Sequence, residues 1–367
     1  MYPRNRNEIA IPAANVFAGA ATLRGYLVII IFPKAGEIMQ TDGKKYDRYI
    51  GLMDTPFTSD QMGQLTCLAE AHGYGILQLE PHRRYLEDVL APCEILCGYF
   101  PRVLLRRAAN LQWLHLPSAG ADKYVDKAIY PHENVTLTNS SGAFGTAIAE
   151  QLIMGSLMLL RRMPEYRRQQ REKVWRRVGP IRFLRGSLVT VLGTGNLGGT
   201  FAGYCHAMGA TVRGVSRSGR ADRESFSAVY PAEKILEAVD GADIVAACLP
   251  LTRKTKGLID QRVFAAMGPG AIFLSVGRGK TVNQQDLIDA LRGGSLAGAM
   301  LDVAEEEPMP LECPLWDMEQ VIITPHVSGS DLDEANGAKI FSIFMDNLRR
   351  YFAKEPLRNI VDKTNGY

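Results

Sequence analysis

The run Gly193-Thr-Gly195-Asn-Leu-Gly198 constrains this chain of 367 residues more than any other feature in it. It directly follows a short apolar segment, Leu188–Leu192, and opens a helical stretch, Asn196–Met208, with a second apolar segment, Thr211–Val215, next in order. Gly193 permits a tight turn. Gly195 lets the backbone approach a pyrophosphate, and Gly198 lets the helix lie close to the sheet with its N-terminus facing the anion. Gly-rich turns are common, so the glycines alone say little. With a strand before, a helix after and a second strand on schedule, they predict a βαβ dinucleotide-binding unit with contacts from Gly193, Thr194, Gly195, Asn196, Leu197 and Gly198.

The end of that second strand bears on which dinucleotide is held. A carboxylate there would accept the ribose hydroxyls of NAD. This chain instead has Ser216-Arg217-Ser218-Gly219-Arg220. An acid repels a 2′-phosphate, whereas Ser216, Arg217 and Ser218 can hydrogen-bond and neutralise one. The expectation is NADP(H). NAD(H) is the alternative, because Arg217 stacked on the adenine would serve either cofactor.

Short apolar runs alternate with helical stretches over the whole chain from Asp47 onward. Arg48–Met53, Tyr74–Leu79, Glu94–Tyr99 and Leu111–Leu116 read as strands, and Met62, Leu65 and Leu68 mark one face of a helix between the first two. After the glycine run, Ile244–Cys248, Ala271–Val276, Leu296–Leu301 and Val321–Thr324 are apolar on both faces, as buried parallel strands are. Ala147–Arg162 and Ala335–Phe352 read as long helices, the second with Ile340, Ile343, Phe344 and Leu348 on one side. The fold class is α/β, with two Rossmann-like domains, parallel sheets and an active site in the cleft between them.

Composition narrows the function classes. Apolar residues make up 46% and charged residues 22%, a globular balance that excludes wholesale disorder. A net charge of +3 does not argue for nucleic acid or an anionic membrane as partner. Arg161–Arg185 holds ten Lys or Arg against Glu165 and Glu172, and a solvated or subunit-facing arm explains it better than a polyanion patch. Six cysteines without a C-x-x-C pair indicate neither a zinc site nor a disulfide framework, and a reducing, cytoplasmic compartment follows. Pro12, Asn15 and Arg24 interrupt the apolar N-terminus, whose cleanest run, Tyr26–Phe32, is far short of a membrane span. Residues 1–45 read as an extension with no chemistry in it.

Three polar residues follow strands of the second series: Arg278 in Ser-Val-Gly277-Arg278-Gly279, Glu307 in Asp302-Val-Ala-Glu-Glu-Glu307-Pro308, and His326 after Val321–Pro325. The crevice beyond the carboxyl ends of parallel strands is where such sheets bind ligands. A guanidinium, an acid and an imidazole converging there suit reduction of a 2-oxo acid. Arg278 would clamp the carboxylate and polarise the ketone, His326 would protonate the carbonyl oxygen, and Glu307 would orient the imidazole and favour its protonated form. Spacing alone leaves each with a plain structural reading. His206, His72, His82 and His132 are weaker candidates, and His115, ending an apolar strand, is the one rival substrate contact.

Taken in order, these motifs resemble the D-isomer-specific 2-hydroxyacid dehydrogenase family from about Asp47 to the C-terminus. The resemblance rests on Gly193–Gly198, Leu249-Pro-Leu-Thr252 through Gly257-Leu-Ile259, Ser275–Gly279, Asp302–Pro308 and Thr324-Pro-His326. It implies that Arg278, Glu307 and His326 are catalytic, and that Leu249, Pro250, Val276, Gly277 and Asp302 join the cofactor contacts. It also implies a discontinuous substrate-binding domain, 46–142 and 330–367, around a dinucleotide-binding domain, 143–329. Amides of Ser118, Ala119 and Gly120 would hold the substrate carboxylate, Trp316 would stand near the pocket, and Ala147–Trp175 would be the arm of a homodimer. Ala304 stands where the family often has Phe, and Ser328 where Gly is common.

The activity so implied is an NADPH-preferring 2-oxoacid reductase, with glyoxylate or hydroxypyruvate preferred and no metal. Two other readings stay open. One is an NAD-dependent dehydrogenase of another D-2-hydroxy acid such as 3-phosphoglycerate, for which Arg102 and Lys123 are the available basic groups. The other is a dinucleotide-sensing scaffold or corepressor on the same fold.

Overall fold

The computed structural model describes residues 46–80, 89–221, 223–330 and 333–366, together with the backbone of 17–23 and 26–32. Strands β1 (Phe17–Leu23) and β2 (Tyr26–Phe32) form an antiparallel hairpin. The rest of the extension and His82 lie outside the described residues.

Two parallel sheets organise the remaining chain. The first contains β3 (Arg48–Met53), β4 (Tyr74–Leu79), β5 (Cys93–Gly98), β6 (Trp113–Leu116) and β7 (Thr136–Asn139), in the order β4-β3-β5-β6-β7. The second contains β8 (Leu188–Leu192), β9 (Thr211–Ser216), β10 (Ala228–Pro231), β11 (Ile244–Ala247), β12 (Ala271–Ser275), β13 (Leu296–Leu301) and β14 (Val321–Ile323), in the order β10-β9-β8-β11-β12-β13-β14. Every pairing within both sheets is parallel. Strands buried on both faces are mainly apolar, and β11 (Ile-Val-Ala-Ala) and β12 (Ala-Ile-Phe-Leu-Ser), the latter closed by one serine, are fully buried.

Two strands carry no clear signal in the sequence, β7 and β10, and each lies at a sheet edge. An edge strand needs neither full burial nor length. β7 is Thr-Leu-Thr-Asn, and β10 is half-buried along its length and ends in Pro231.

The helix Glu334–Ala353 carries the chain back to the first sheet. Asp333 caps it by accepting from the amides of Ala335 and Asn336. Its Phe344, Met345 and Leu348 pack with Ile50, Ile95 and Trp113. Phe344 is fully buried, so Phe344→Ala costs about 3–5 kcal/mol. The helix Gly145–Leu160 packs against the second sheet through Ile148, Ala149 and Leu152.

Beyond the latter helix, Arg162 pairs with Glu165, and Arg168 with Glu172 and Glu319, so part of the basic excess is internally matched. Met163, Val174, Trp175 and Phe183 in this stretch are exposed, Trp175 completely. Among the described residues no helix is long and apolar enough to cross a membrane.

Candidate active site

The glycine run forms the turn its residue types require. Gly193 has φ +101°, and a Cβ there would stand 2.8 Å from the Cys248 carbonyl oxygen. A Cβ on Gly198 would stand 2.0 Å from the Gly193 carbonyl oxygen, so the helix Asn196–Ala207 can sit this close to β8 only with glycine there. Gly195 faces open space. It caps that helix without a side-chain hydrogen bond, which leaves the leading amides free to receive an anion. Asn196 Oδ1 is buried without a partner, an acceptor that a ligand hydroxyl can satisfy. These features fit a dinucleotide diphosphate and its ribose.

A cavity of about 350 Å³ opens at this turn, lined by Gly195, Asn196, Leu197, Gly198, Leu249, Pro250, Val276 and Gly277, with Ala119 and Gly120 facing them. Gly193 and Thr194 build the turn behind it, with the Thr194 methyl packed on Gly214. At the end of β9 the Ser216 hydroxyl accepts from the Arg220 amide at 3.0 Å and donates to the Arg220 carbonyl at 2.9 Å. That hydroxyl therefore closes its own turn, and Arg217, Ser218 and Arg220 are the exposed groups there. Arg223, unremarked in the sequence reading, folds onto the helix N-terminus, its Nε 2.5 Å from where a Gly199 Cβ would stand.

Arg278, Glu307 and His326 meet on a second cavity of about 1210 Å³, which shares Gly120, Asp122, Leu251 and Arg278 with the first. Glu307 Oε2 bonds His326 Nδ1 at 2.8 Å, and Glu307 Oε1 accepts from the Ala304 amide at 3.1 Å. The carboxylate is thus fixed by its own loop while it orients the ring. Nδ1 being taken, Nε2 is the imidazole atom left for the cavity. Arg278 donates from Nη1 to the Gly277 carbonyl at 2.9 Å and from Nε to Asp122 Oδ1 at 2.9 Å.

His326 itself has φ +55°, a left-handed conformation that costs a β-carbon residue about 1–3 kcal/mol unless its surroundings hold it. Asp302 supplies the hold. It is 1% exposed, and its carboxylate accepts from Thr324 Oγ1 at 2.6 Å, from the Val327 amide at 2.9 Å and from the Ser328 amide at 3.0 Å. Ser328 adds its hydroxyl to the same carboxylate. Asp302, expected among the cofactor contacts, thus has its side chain beneath the His326 turn and does not line the dinucleotide cavity. The physical reason is burial: a carboxylate with this little exposure must be saturated by donors, and the turn provides four.

The loop Pro117–Ala121 is held by its carbonyls. Ser118 Oγ donates to the Gly120 carbonyl at 2.7 Å, and Asn139 Nδ2 donates to the Ala119 carbonyl at 2.7 Å. Among the described residues, the amides of Ala119 and Gly120 have no hydrogen-bond acceptor, so they stand available to an anion. Trp316 is half-exposed and lines neither cavity, but it donates at 2.9 Å to the carbonyl of Pro310, which lines the larger one together with Cys313 and Pro314. The rival reading of His115 is corrected. His115 is fully buried, with Nδ1 on Thr138 Oγ1 and Nε2 on Ser140 Oγ, and burial lowers its pKa to about 3. It is a neutral core residue.

Residues 153–328 match the family described as D-isomer specific 2-hydroxyacid dehydrogenase, NAD binding domain. A glyoxylate/hydroxypyruvate reductase A of Arabidopsis thaliana is 30% identical over 76% of this chain and 86% of its own length. A D-isomer specific 2-hydroxyacid dehydrogenase family protein from Aeromonas salmonicida is 33% identical, with TM-score 0.73 over 86% of this chain and 99% of the other. The NADPH-dependent glyoxylate/hydroxypyruvate reductase of Sinorhizobium meliloti, solved with NADP and sulfate, is 26% identical with TM-score 0.74, over 88% of this chain and all of the other. With two parallel α/β sheets, a glycine turn open to a dinucleotide and these relatives, the chain belongs to the D-isomer specific 2-hydroxyacid dehydrogenase family of NAD(P)-dependent oxidoreductases.

Proposed function

We propose that the protein reduces a small 2-oxo acid to the D-2-hydroxy acid with NADPH, glyoxylate or hydroxypyruvate being the preferred substrates. The observation that carries this reading is the convergence of Glu307-bound His326, Arg278 and the free amides of Ala119 and Gly120 on a cavity that runs into the glycine turn. When bound, the reduced nicotinamide supplies a hydride to the carbonyl carbon. The chain supplies the rest. The Ala119 and Gly120 amides and the Arg278 guanidinium hold the substrate carboxylate and place the ketone oxygen. His326 Nε2 delivers the proton that oxygen needs, and Glu307 fixes the ring so that Nε2 points inward. Ser118 acts through the loop by tying down the Gly120 carbonyl.

Support for NADP comes from Arg217 and Ser218 exposed at the end of β9, and from the NADP held by the Sinorhizobium relative. The same reading takes 46–142 with 330–367 as the substrate-binding domain and 143–329 as the dinucleotide-binding domain. It takes Ala147–Trp175, with its exposed Met163, Val174 and Trp175, as a homodimer arm, and the cytoplasm as the location.

The test is nicotinamide absorbance decay of the purified protein with glyoxylate and hydroxypyruvate, NADPH and NADH side by side. Rapid decay with NADPH supports the reductase. Tight cofactor binding without decay on a panel of 2-oxo acids moves the reading to a dinucleotide-sensing scaffold. Arg217→Ala should weaken NADPH about tenfold or more and NADH little. Equal losses would mean the guanidinium only stacks on the adenine.

A further inference from the structure

The guanidinium of Arg278 is held from the opposite side of the cleft by a residue that no motif singled out. Arg278 follows β12 of the second sheet, and Asp122 opens a short 3-10 turn, Asp122–Tyr124, after β6 of the first. Arg278 Nε donates to Asp122 Oδ1 at 2.9 Å, with both side chains about one quarter exposed. Gly120 completes the arrangement. A Cβ there would stand 1.4 Å from Arg278 Nη2 and 2.6 Å from Cζ, so the guanidinium lies directly against the glycine backbone. The loop carrying Gly120 and Asp122 is itself tethered by Ser118 and Asn139.

Resting on the assignment of Arg278 to the substrate carboxylate, we propose that Asp122 is a positioning residue for the reduction: it fixes the arginine through Nε, from across the cleft, with Nη2 beside the amides of the Ala119–Gly120 loop. The geometry distinguishes this from an aspartate that blocks the substrate. A carboxylate substrate is recognised in fork geometry by the terminal nitrogens, and Asp122 takes Nε while the Gly277 carbonyl takes one Nη1 proton. The long arginine side chain is then ordered before substrate arrives, which removes part of the ordering loss from binding and from the approach to the transition state. Because the pair joins the two halves of the molecule, the arginine is aimed only when the cleft has this separation.

The experiment compares Asp122→Ala, Asp122→Asn and Arg278→Ala in the full-length protein by steady-state kinetics on a 2-oxo acid that the wild type reduces. Cofactor affinity is measured separately by fluorescence quenching. Asp122→Ala should lower kcat/KM about 30-fold with a higher KM and a lower kcat, at unchanged cofactor affinity. Asp122→Asn, which keeps an oxygen acceptor for Nε, should recover most of that loss. Wild-type kcat/KM in Asp122→Ala beside an inactive Arg278→Ala overturns the positioning role and leaves the arginine assignment standing. An Asp122→Ala variant with unchanged kcat and a lower KM also overturns it, since that is the signature of a mere repulsive charge. An active Arg278→Ala overturns the arginine assignment itself. Should Asp122→Ala not fold, Asp122→Glu serves, because its longer side chain pushes the guanidinium off Gly120. The same loss is expected there, and a wild-type rate counts against the proposal.

Discussion

Two histidines stand at the carboxyl ends of parallel strands, one in each half of the molecule, and they have opposite fates. His115, in β6, is fully buried, with both ring nitrogens engaged by Thr138 and Ser140. His326, three residues beyond β14, is held by one nitrogen on Glu307 and turns the other toward the large cavity. Position at a strand end is therefore insufficient to make a ligand-facing imidazole. What separates the two is the number of fixed partners: a ring with two is a structural strut, and a ring with one oriented nitrogen can move a proton. The backbone agrees, since β6 is extended while His326 takes the left-handed φ that swings it out of the strand direction.

The sharpest way to break this contrast is His326→Asn. It should lower kcat by about 10²–10⁴-fold with cofactor affinity unchanged, because it removes only the group proposed as proton donor. Turnover near wild type would erase the distinction between the two rings. Glu307→Gln keeps an acceptor for Nδ1 but loses the charge, and kcat should fall about 10–100-fold in the same assay. A loss as small as twofold would show that the His326 turn orients the ring unaided.

His115 makes a prediction in stability instead. Above its ordinary pKa of 6.5 the ring is neutral folded and unfolded, so nothing is gained or lost. As pH falls below that, the unfolded chain binds a proton that the buried ring, with its pKa lowered to about 3, refuses. Stability is therefore lost on acidification, by about 1.4 kcal/mol per pH unit across that window. His115→Gln should lack this increment, so the difference between wild-type and variant urea midpoints should shift steadily from pH 6 to pH 4. Parallel midpoints would remove the buried-strut account. The smallest effect is expected at Ser328→Gly. It deletes a hydroxyl from the Asp302 carboxylate but keeps the amide, so about 1 kcal/mol and a few-fold in kcat are at stake, read by thermal melting and the reductase assay.

Much of the fold was legible because its signals are local. The turn at Gly193–Gly198, the mainly apolar strands β8, β11, β12 and β13 and the amphipathic C-terminal helix each follow from a few adjacent residues. Edge strands β7 and β10 were not legible, because each has only four residues, β7 with Thr and Asn among them and β10 ending in Pro231, whereas the edge strands β4 and β14 keep a readable apolar run. At the site, the residue types of Arg278, Glu307 and His326 and their strand-end positions could be read from the chain. The place of Trp316 and the employment of Asp302 could not, because they depend on which carbonyl or amide a fold brings within reach.

The sequence by itself thus determined a two-sheet α/β chain, a dinucleotide turn and a short list of residues with the right chemistry. Only the tertiary structure decided which of two strand-end histidines keeps a free nitrogen, that a buried aspartate braces the His326 turn, and that Asp122 reaches Arg278 across 156 residues of chain. The reason is range. Turn geometry and hydrophobic period are properties of neighbours along the chain, whereas a hydrogen bond between distant residues exists only when sheet register and packing bring donor and acceptor within about 3 Å of each other.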